Sequence, residues 1–422
     1  MSDSKLGLNA AWSMAVGGMV GGGIFSTLGV VITIAGSWAW LSFVAGGLVA
    51  LMAAYSYVKL AGHYGEGGGA FTFLREIHEE GFAGTLSWVL IIGYVLTNAV
   101  YAFTFGQYLR HVVGAGPLFA RLAAVGIMAL FVALNLRGVG EAGGVEIVLV
   151  WFKLFALVGL AAMGLARWDP QMLSRGVPDS GVVTALFGAA SVFMAYEGFQ
   201  LLAYDYEDID RPDTTLPRAV LSAVVFVTLV YVVVALGTAM MIGADRIVDN
   251  EEVALAIAGQ AALGFTGLVL ITVAAAFSTG SAINSTLFAT ARLSHTIAEG
   301  GELPASLAHT NAAGAPDRAV IGLGSLAALL AVVGSLSTLV EAASLAFLFT
   351  FGVVCGLAFT ERVGMRWMTG AGALGAAAAT VALMYRLAHT DPWSLAYLAG
   401  VVLVVSIARP LILRHVAVES DS

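Results

Sequence analysis

Three consecutive glycines, Gly21, Gly22 and Gly23, lie in the middle of an apolar stretch, residues 8–35, that is otherwise long enough to cross a membrane. Each glycine inside a helix costs about 1 kcal/mol relative to alanine. Because lipid offers the backbone no hydrogen-bond partner, unwound chain at that depth persists only where it lines a protein or water cavity. The glycine run therefore predicts a helix break that leaves peptide groups available to a ligand. The alternative is close helix packing, which small residues also favour.

The peptide groups at this break would have two poles. The amides of Gly22, Gly23 and Ile24 would begin a half-helix, whose partial positive charge suits a carboxylate. The carbonyls of Met19 and Val20 would end the preceding half-helix and accept from an ammonium group. One break could therefore hold both charges of a zwitterion.

A second apolar stretch, residues 182–206, is interrupted in the same way. The interruption consists of Phe193, Met194, Ala195, Tyr196, Glu197, Gly198 and Phe199. Interrupted segments at matching positions in two halves of a chain indicate the midplane site of a transporter. Phe193, Met194 and Tyr196 could close over a bound molecule, although aromatic side chains near a break are often ordinary core residues.

Glu197 places a carboxyl group at membrane depth, where acidic residues are rare and usually functional. It could pair with a cation, carry a proton or bind a substrate amine. In the alternative interpretation, a capped carboxyl only ties the unwound chain to a neighbour.

Lys153 is the other charged residue deep in an apolar stretch, about halfway along residues 141–167. A central lysine costs about 2.5–3.5 kcal/mol to insert. The functional interpretation is a proton carrier, or a fixed cation in place of a bound sodium ion. The alternative is a lysine that extends its amine to the interface.

Hydroxyl groups are concentrated at Ser278, Thr279 and Ser281. Their oxygens could coordinate a sodium ion or accept from the Lys153 amine, but serine and threonine in membrane helices often bond only to their own helix. Weaker candidates for lining a pocket are Asn98, Tyr94 and Ser344.

The composition supports a membrane protein, because 59% of the 422 residues are hydrophobic and 11% are charged, against about a quarter charged in soluble domains. Apolar stretches predict twelve membrane helices: 8–35, 37–62, 82–113, 118–138, 142–166, 182–206, 216–243, 262–292, 318–336, 338–360, 365–387 and 392–413.

The basic residues predict the orientation. With the N-terminus inside, twelve of the nineteen Lys and Arg residues lie at cytoplasmic ends or loops and six lie outside. This bias places both termini in the cytoplasm. The net charge of −8 opposes nucleic-acid binding. The sequence has no nucleotide-binding P-loop, no close histidine spacing for a metal and no catalytic set, so we expect no enzyme activity, cofactor or metal.

The two breaks also predict an internal repeat. Residues 1–167 would form five helices, residues 182–360 would form an inverted second five, and residues 361–422 would add two helices and a cytoplasmic tail. Between them, residues 245–260 mix acidic and apolar side chains, which is consistent with either an external lid or a solvated connector.

Five motifs in this order resemble the amino acid–polyamine–organocation (APC) permeases, which share the leucine-transporter fold. They are Gly21-Gly22-Gly23-Ile24-Phe25, Tyr64-Gly65-Glu66-Gly67-Gly68-Gly69-Ala70-Phe71, Asn135-Leu136-Arg137-Gly138-Val139, the A-Y-x-G-F core within Phe193 to Phe199, and Glu302-Leu303-Pro304. The resemblance runs over nearly the whole length of the chain. Met194 stands where many members carry an aromatic gating residue, so Phe193 could take that role.

The resemblance implies an all-α integral membrane protein in which helices 1 and 6 unwind at mid-membrane. It also implies that a substrate carboxylate meets the amides from Gly22 to Ile24, and that the amine meets the carbonyl of Met19 and carbonyls between Phe193 and Glu197. Lys153 matches the lysine that replaces a bound ion in proton-coupled members.

We therefore expect a permease of the cell membrane that imports amino acids by alternating access with proton symport. Its partners would be the substrate, protons and membrane lipid. The alternatives are an amino acid or polyamine exchanger without proton coupling, and a ligand sensor that does not transport.

Overall fold

The computed structural model describes residues 5–65, 67, 69–76, 80–138, 143–177, 181–392 and 395. These residues contain fifteen α-helices: α1 (Leu8–Met19), α2 (Gly23–Ala35), α3 (Ala39–Tyr64), α4 (Gly69–Glu76), α5 (Glu80–Val113), α6 (Pro117–Leu136), α7 (Gly143–Leu165), α8 (Thr184–Ser191), α9 (Leu201–Tyr204), α10 (Pro212–Ile242), α11 (Ala244–Asp249), α12 (Ala254–Glu299), α13 (Asp317–Val333), α14 (Leu336–Thr360) and α15 (Arg366–Thr390). No strand occurs in this part of the chain, and the fold is all-helical.

The first break lies at the glycine run, as the sequence predicts. Helix α1 ends at Met19 and α2 begins at Gly23. Between them the chain makes a tight turn, in which the Gly21 amide donates to the Gly18 carbonyl over 3.2 Å. The consequence is two half-helices in place of one continuous span.

The second break is longer. After α8 the chain forms a 3-10 turn over Phe193–Tyr196, becomes extended at Glu197 and resumes as α9 at Leu201. Gly198 has φ = +122°, which a residue with a side chain rarely adopts. A Cβ atom there would also lie 2.7 Å from the Met19 nitrogen. Glycine at this position therefore lets the two breaks touch.

Long helices enclose the broken segments. Helix α10 packs against α1, α3 and α7, and α5 packs against α12 and α14. Helix α8 packs against α2 and α3. The buried apolar side chains form one large cluster that includes both breaks. The unwound segments therefore lie inside the protein.

The segment over residues 245–260 is structured and packs as a lid. It contains α11, a 3-10 turn over Glu251–Val253 and the start of α12, with Ile247 and Leu255 fully buried. The helix then kinks at Leu263 and Gly264, so α12 is two helices joined at an angle. Contacts with α2 and α5 favour the lid interpretation over a solvated connector.

Eight helical stretches of the described chain are long and apolar enough to cross a membrane. This agrees with a membrane protein but does not establish the predicted twelve spans. Spans 8–35 and 182–206 are divided into short half-helices, and α13 has 17 residues. The predicted span 392–413 lies outside the described residues, apart from 392 and 395. The twelve-helix count and the inverted repeat therefore stay predictions.

Charged residues gather at two ends of the helical bundle. Arg75, Asp205 and Arg292 line a cavity at one end, which we call the Asp205 face. Arg110 and Glu251 lie together at the other end, the Glu251 face. Helix α5, whose 34 residues extend about 50 Å at 1.5 Å per residue, runs between the two faces. The sequence predicts the Asp205 face to be cytoplasmic.

Close backbone contact between α7 and α10 gives a test of this packing. A Cβ atom at Gly164 would lie 2.7 Å from the Gly237 carbonyl carbon, whereas one at Gly159 on the same helix would meet nothing within 4 Å. We expect Gly164→Ala to destabilise the protein by about 1–3 kcal/mol through overpacking, measured as a lower thermal unfolding midpoint in detergent. Gly159→Ala is the matched control and should not lower it. Equal midpoints for both variants would contradict this packing.

Candidate functional site

One tyrosine hydroxyl joins the two breaks. The Tyr231 hydroxyl on α10 lies 2.6 Å from the Met19 carbonyl oxygen and 2.8 Å from that of Ala195, so its single proton is shared between them. The side chain is fully buried. This role is not visible in the sequence, because Tyr231 lies within an ordinary apolar run. Its function depends on a contact between distant parts of the chain.

The carbonyls at the end of α1 accept hydrogen bonds from three different helices. The Lys153 amine on α7 donates to the Gly17 carbonyl over 3.0 Å, and the Ser278 hydroxyl on α12 donates to the Val20 carbonyl over 2.6 Å. Tyr231 supplies the donor to Met19. Lys153 and Ser278 are both completely buried. Both side chains were predicted from the sequence as site candidates, and the structure brings both to the first break.

This arrangement changes the predicted role of Met19 and Val20. Their carbonyls were expected to be available to a ligand ammonium group, but each already accepts a hydroxyl from the protein. A carbonyl oxygen has two lone pairs, so each can accept one further donor. In the structure these carbonyls therefore accept side-chain hydroxyls, which stabilise the break in the helix.

The amides on the other side of the break are different. Gly22 is the N-cap of α2 and provides no side chain, and the amides of Gly22, Gly23 and Ile24 are hydrogen-bonded to no acceptor in the described part of the chain. All three residues are buried. Buried amides without a partner are rare in native proteins. A ligand with hydrogen-bond acceptors would satisfy these three buried donors.

A serine on α14 holds the second break. The Ser344 hydroxyl donates to the Ser191 carbonyl over 2.8 Å and accepts from the Met194 amide over 3.0 Å. It therefore connects the end of α8 to the following 3-10 turn. Ser344 was only a weak candidate from the sequence, because an isolated serine in an apolar helix carries little information.

The aromatic residues of the second break are packed into the core. Phe193 lies edge-on to Phe351 on α14, with ring centroids 5.7 Å apart. The Tyr196 hydroxyl donates to the Phe43 carbonyl over 2.5 Å. Met194 and Tyr196 are fully buried and Phe193 is 1% exposed. In this conformation the three side chains seal the site, and neither Phe193 nor Met194 stands out as a gate.

Glu197 is held by two neutral donors. The Tyr101 hydroxyl donates to one carboxyl oxygen and the Gln200 amide to the other, each over 3.2 Å. The Gln200 oxygen accepts in turn from the Gly198 amide over 2.9 Å. Tyr101 also packs on the first break, because its ring occupies the space that a side chain on Gly22 would need. Neither Tyr101 nor Gln200 was predicted from the sequence.

Two other predicted residues bond within their own helices. Thr279 bonds to the Ala275 carbonyl of its own helix, and the Asn98 amide nitrogen bonds to the Tyr94 carbonyl of its own helix. The Asn98 side-chain oxygen is buried without a hydrogen-bond partner among the described residues. Ser281 is half-buried on α12. Of the predicted hydroxyls on α12, Ser278 is the one whose described hydrogen bond reaches a break.

A cavity of about 420 Å³ opens at the Asp205 face. Tyr204 lines it, and the Tyr204 hydroxyl lies 2.9 Å from that of Tyr94. The Gln200 amide nitrogen lies 3.2 Å from the same Tyr94 oxygen. These three side chains separate Glu197 from the cavity. Both breaks are therefore closed to solvent, and the Asp205 face is the end from which solvent comes near them. Nowhere in the described ranges do three or more metal-ligating side chains cluster.

Comparison with known proteins identifies the family. A family model described as amino acid permease matches residues 6–407. An uncharacterised protein of Methanocaldococcus jannaschii is 34% identical over 72% of this chain and 71% of its own length. The inner membrane transport protein YbaT of Escherichia coli is 31% identical over 72% and 71%. The serine/threonine exchanger SteT of Bacillus subtilis is 26% identical over 71% and 69%.

The family model covers nearly the whole chain, including both breaks and Lys153. The named relatives are transporters and not enzymes. The eight apolar helical stretches agree with a multi-pass membrane protein. The chain therefore belongs to the amino acid permease family of the APC superfamily.

Proposed function

We propose that this protein is a secondary transporter that imports amino acids across the cell membrane by alternating access and proton symport. The observation that carries the proposal is the set of buried, unbonded amides at Gly22, Gly23 and Ile24. They begin a half-helix, where the helix dipole favours an anion. An amino acid carboxylate matches these donors in charge and size.

The amine of the same substrate would be bound by carbonyls. The Met19 and Ala195 carbonyls both lie within hydrogen-bond distance of the Tyr231 hydroxyl, and each oxygen has a second lone pair. With further carbonyls between Phe193 and Glu197, they would accept from an ammonium group. The substrate would thus replace, at both breaks, the backbone partners that a continuous helix provides.

Lys153 would supply the proton coupling. Its amine bonds to the Gly17 carbonyl, near the C-terminal end of α1, where the helix dipole favours a positive charge. A protonated amine therefore holds α1 against α7, and loss of the proton weakens this attachment. Protonation would shift the balance between two access states, which requires a different proton affinity in each state.

The leucine-transporter arrangement would provide the movement. We infer an inverted repeat of residues 1–167 and 182–360, supported by the two broken helices in matching positions. With both termini cytoplasmic, the cavity at the Asp205 face would open inward, and the lid over residues 245–260 would close the outer side.

Exchange without proton coupling is the second candidate. It is favoured by the relative SteT, which is named a serine/threonine exchanger. Both mechanisms use the same site for the amino acid. They differ in whether a pH gradient can drive accumulation.

We expect Lys153→Ala to abolish amino acid accumulation driven by a pH gradient, because the variant has no amine to take up the proton. The measurement is uptake of labelled amino acids into sealed vesicles that contain the purified protein, with the outside acidic. Lys153→Gln, which keeps a donor for Gly17, should also lose accumulation and distinguishes proton binding from simple hydrogen bonding.

Lys59→Ala is the matched control, because Lys59 is an exposed lysine on α3. It should accumulate substrate like the wild type. Unchanged pH-driven uptake by Lys153→Ala would contradict the role of Lys153. Counterflow in the wild type without accumulation under a pH gradient would select the exchange mechanism.

Tyr231→Phe is expected to weaken substrate binding and stability together, because it removes the hydroxyl shared by the two breaks. Loss of one to two hydrogen bonds predicts destabilisation of about 1–3 kcal/mol. Thermal unfolding with and without amino acids measures both effects, since a ligand that binds the folded form raises the midpoint. Tyr385→Phe, at a tyrosine that is 58% exposed, is the control. Identical shifts for the two variants would contradict the bridging role.

A further inference from the structure

We propose that Glu197 is a second protonation site of the transport cycle, which carries a proton whenever the two breaks are closed around it. This inference rests on the proposed function and identifies a group that the Lys153 mechanism does not use. It concerns the side chain of Glu197, whereas the amino acid is bound by backbone groups.

The described residues around Glu197 provide no positive charge that pairs with it. Its residue is 1% exposed, and its two carboxyl oxygens accept from neutral groups of Tyr101 and Gln200. Among the described residues, no lysine, arginine or histidine forms an ion pair with it. The titratable groups that face it belong to four tyrosines, which come from α5, α9 and α10: Tyr94, Tyr101, Tyr204 and Tyr231.

A second buried glutamate in the same protein gives an internal comparison. Glu341 on α14 is 5% exposed, and its carboxylate forms an ion pair with Arg386 on α15. Arg386 also lies 3.5 Å from the Ser191 hydroxyl. At Glu341 the fold supplies a cation, which favours the ionised carboxylate. At Glu197 the described residues supply none, and an isolated buried carboxylate is strongly unfavourable.

Closing the site must therefore be accompanied by proton uptake. While water from the cavity reaches Glu197, the carboxylate is solvated and can be ionised. When Gln200, Tyr94 and Tyr204 close that path, the carboxylate takes one proton from water and becomes a neutral acid. Reopening returns the proton to water. One proton is bound and released in each cycle, with no other change in bonding.

Tyr101 connects this proton to the substrate site. Its hydroxyl bonds to Glu197, and its ring packs on Gly22, where the substrate carboxylate is proposed to bind. An ionised Glu197 can only accept, so the Tyr101 proton points to it. A protonated Glu197 can donate to the Tyr101 oxygen, which frees the Tyr101 proton for the substrate. Proton binding at Glu197 thus favours substrate binding at the first break.

Infrared spectroscopy of the full-length protein tests the protonation directly. We expect the wild type at neutral pH to have a carbonyl-stretch absorption of a protonated carboxyl group that is missing in Glu197→Gln. The matched control is Glu341→Gln, which removes a buried carboxyl group that has a cationic partner, Arg386, and should leave this absorption unchanged. Identical wild-type and Glu197→Gln spectra in the protonated-carboxyl region would overturn the proposal.

Tyr101→Phe provides a second measurement that keeps Glu197 in place. It removes one hydrogen-bond partner of the carboxyl group, so the same absorption should shift in frequency. An absorption that does not move would contradict the assignment. This variant decides the question even if Glu197→Gln does not fold.

Substrate affinity at several pH values then tests the link to transport, with L-serine as a neutral probe and L-lysine as a cationic one. A single coupled proton allows up to a tenfold loss of affinity per pH unit, which corresponds to about 1.4 kcal/mol. We expect Glu197→Gln to reduce the pH dependence of L-serine binding by one proton. Selective loss of L-lysine binding, with the pH dependence unchanged, would overturn the proposal and make Glu197 a cation-recognition group.

The proposed function is tested separately, by pH-driven uptake in the wild type. If wild-type accumulation is present but Glu197→Gln keeps the full pH dependence, only the inference about Glu197 fails. If the wild type does not accumulate substrate under a pH gradient, proton symport fails, whatever the spectra of Glu197 show.

Discussion

Peptide groups that leave a helix inside a protein need other hydrogen-bond partners, and this requirement organises the whole site. At the first break, the carbonyls of Gly17, Met19 and Val20 receive donors from the side chains of Lys153, Tyr231 and Ser278. These donors come from α7, α10 and α12. Three helices distant in sequence are thus held in place by the carbonyls of one turn.

The carbonyl groups and the amide groups of the first break differ in whether the protein supplies their hydrogen-bond partners. Its carbonyls have partners within the protein, whereas the amides of Gly22, Gly23 and Ile24 have none in the described chain. If the protein supplied hydrogen-bond partners for all of these peptide groups, the break would be a rigid structural kink. Leaving the amides unbonded, in a place that solvent does not reach, creates a site whose free energy improves when an anionic group enters. This asymmetry is the physical basis for assigning a binding role to the break.

The buried ionisable side chains also differ in whether the protein supplies a compensating partner. Lys153 is buried against a carbonyl near the negative end of a half-helix, and Glu341 is buried with Arg386. Glu197 is buried with neutral donors. The first two charges have compensating partners, while Glu197 has none among the described residues. A protein that opens and closes around such a group changes its proton affinity as it moves, and this couples conformation to pH.

Local sequence signals were sufficient to locate both breaks and to single out Lys153 and Ser278, which bond to the first break. Glycine runs and charges within apolar stretches disrupt a helical pattern, so they are visible without a structure. Tyr231 and Tyr101 were missed because an aromatic residue in an apolar helix looks like core, and its role depends on which carbonyl or carboxyl faces it. Thr279 follows the alternative that its sequence context left open, since its hydroxyl bonds to its own helix.

The most direct test of this account is an experimental structure with a transported amino acid bound. We expect the carboxylate oxygens to lie within hydrogen-bond distance, about 2.7–3.2 Å, of the amides from Gly22 to Ile24, while α1 and α2 stay separated. A ligand bound elsewhere, or a continuous helix through Val20 and Gly22, would contradict the central claim.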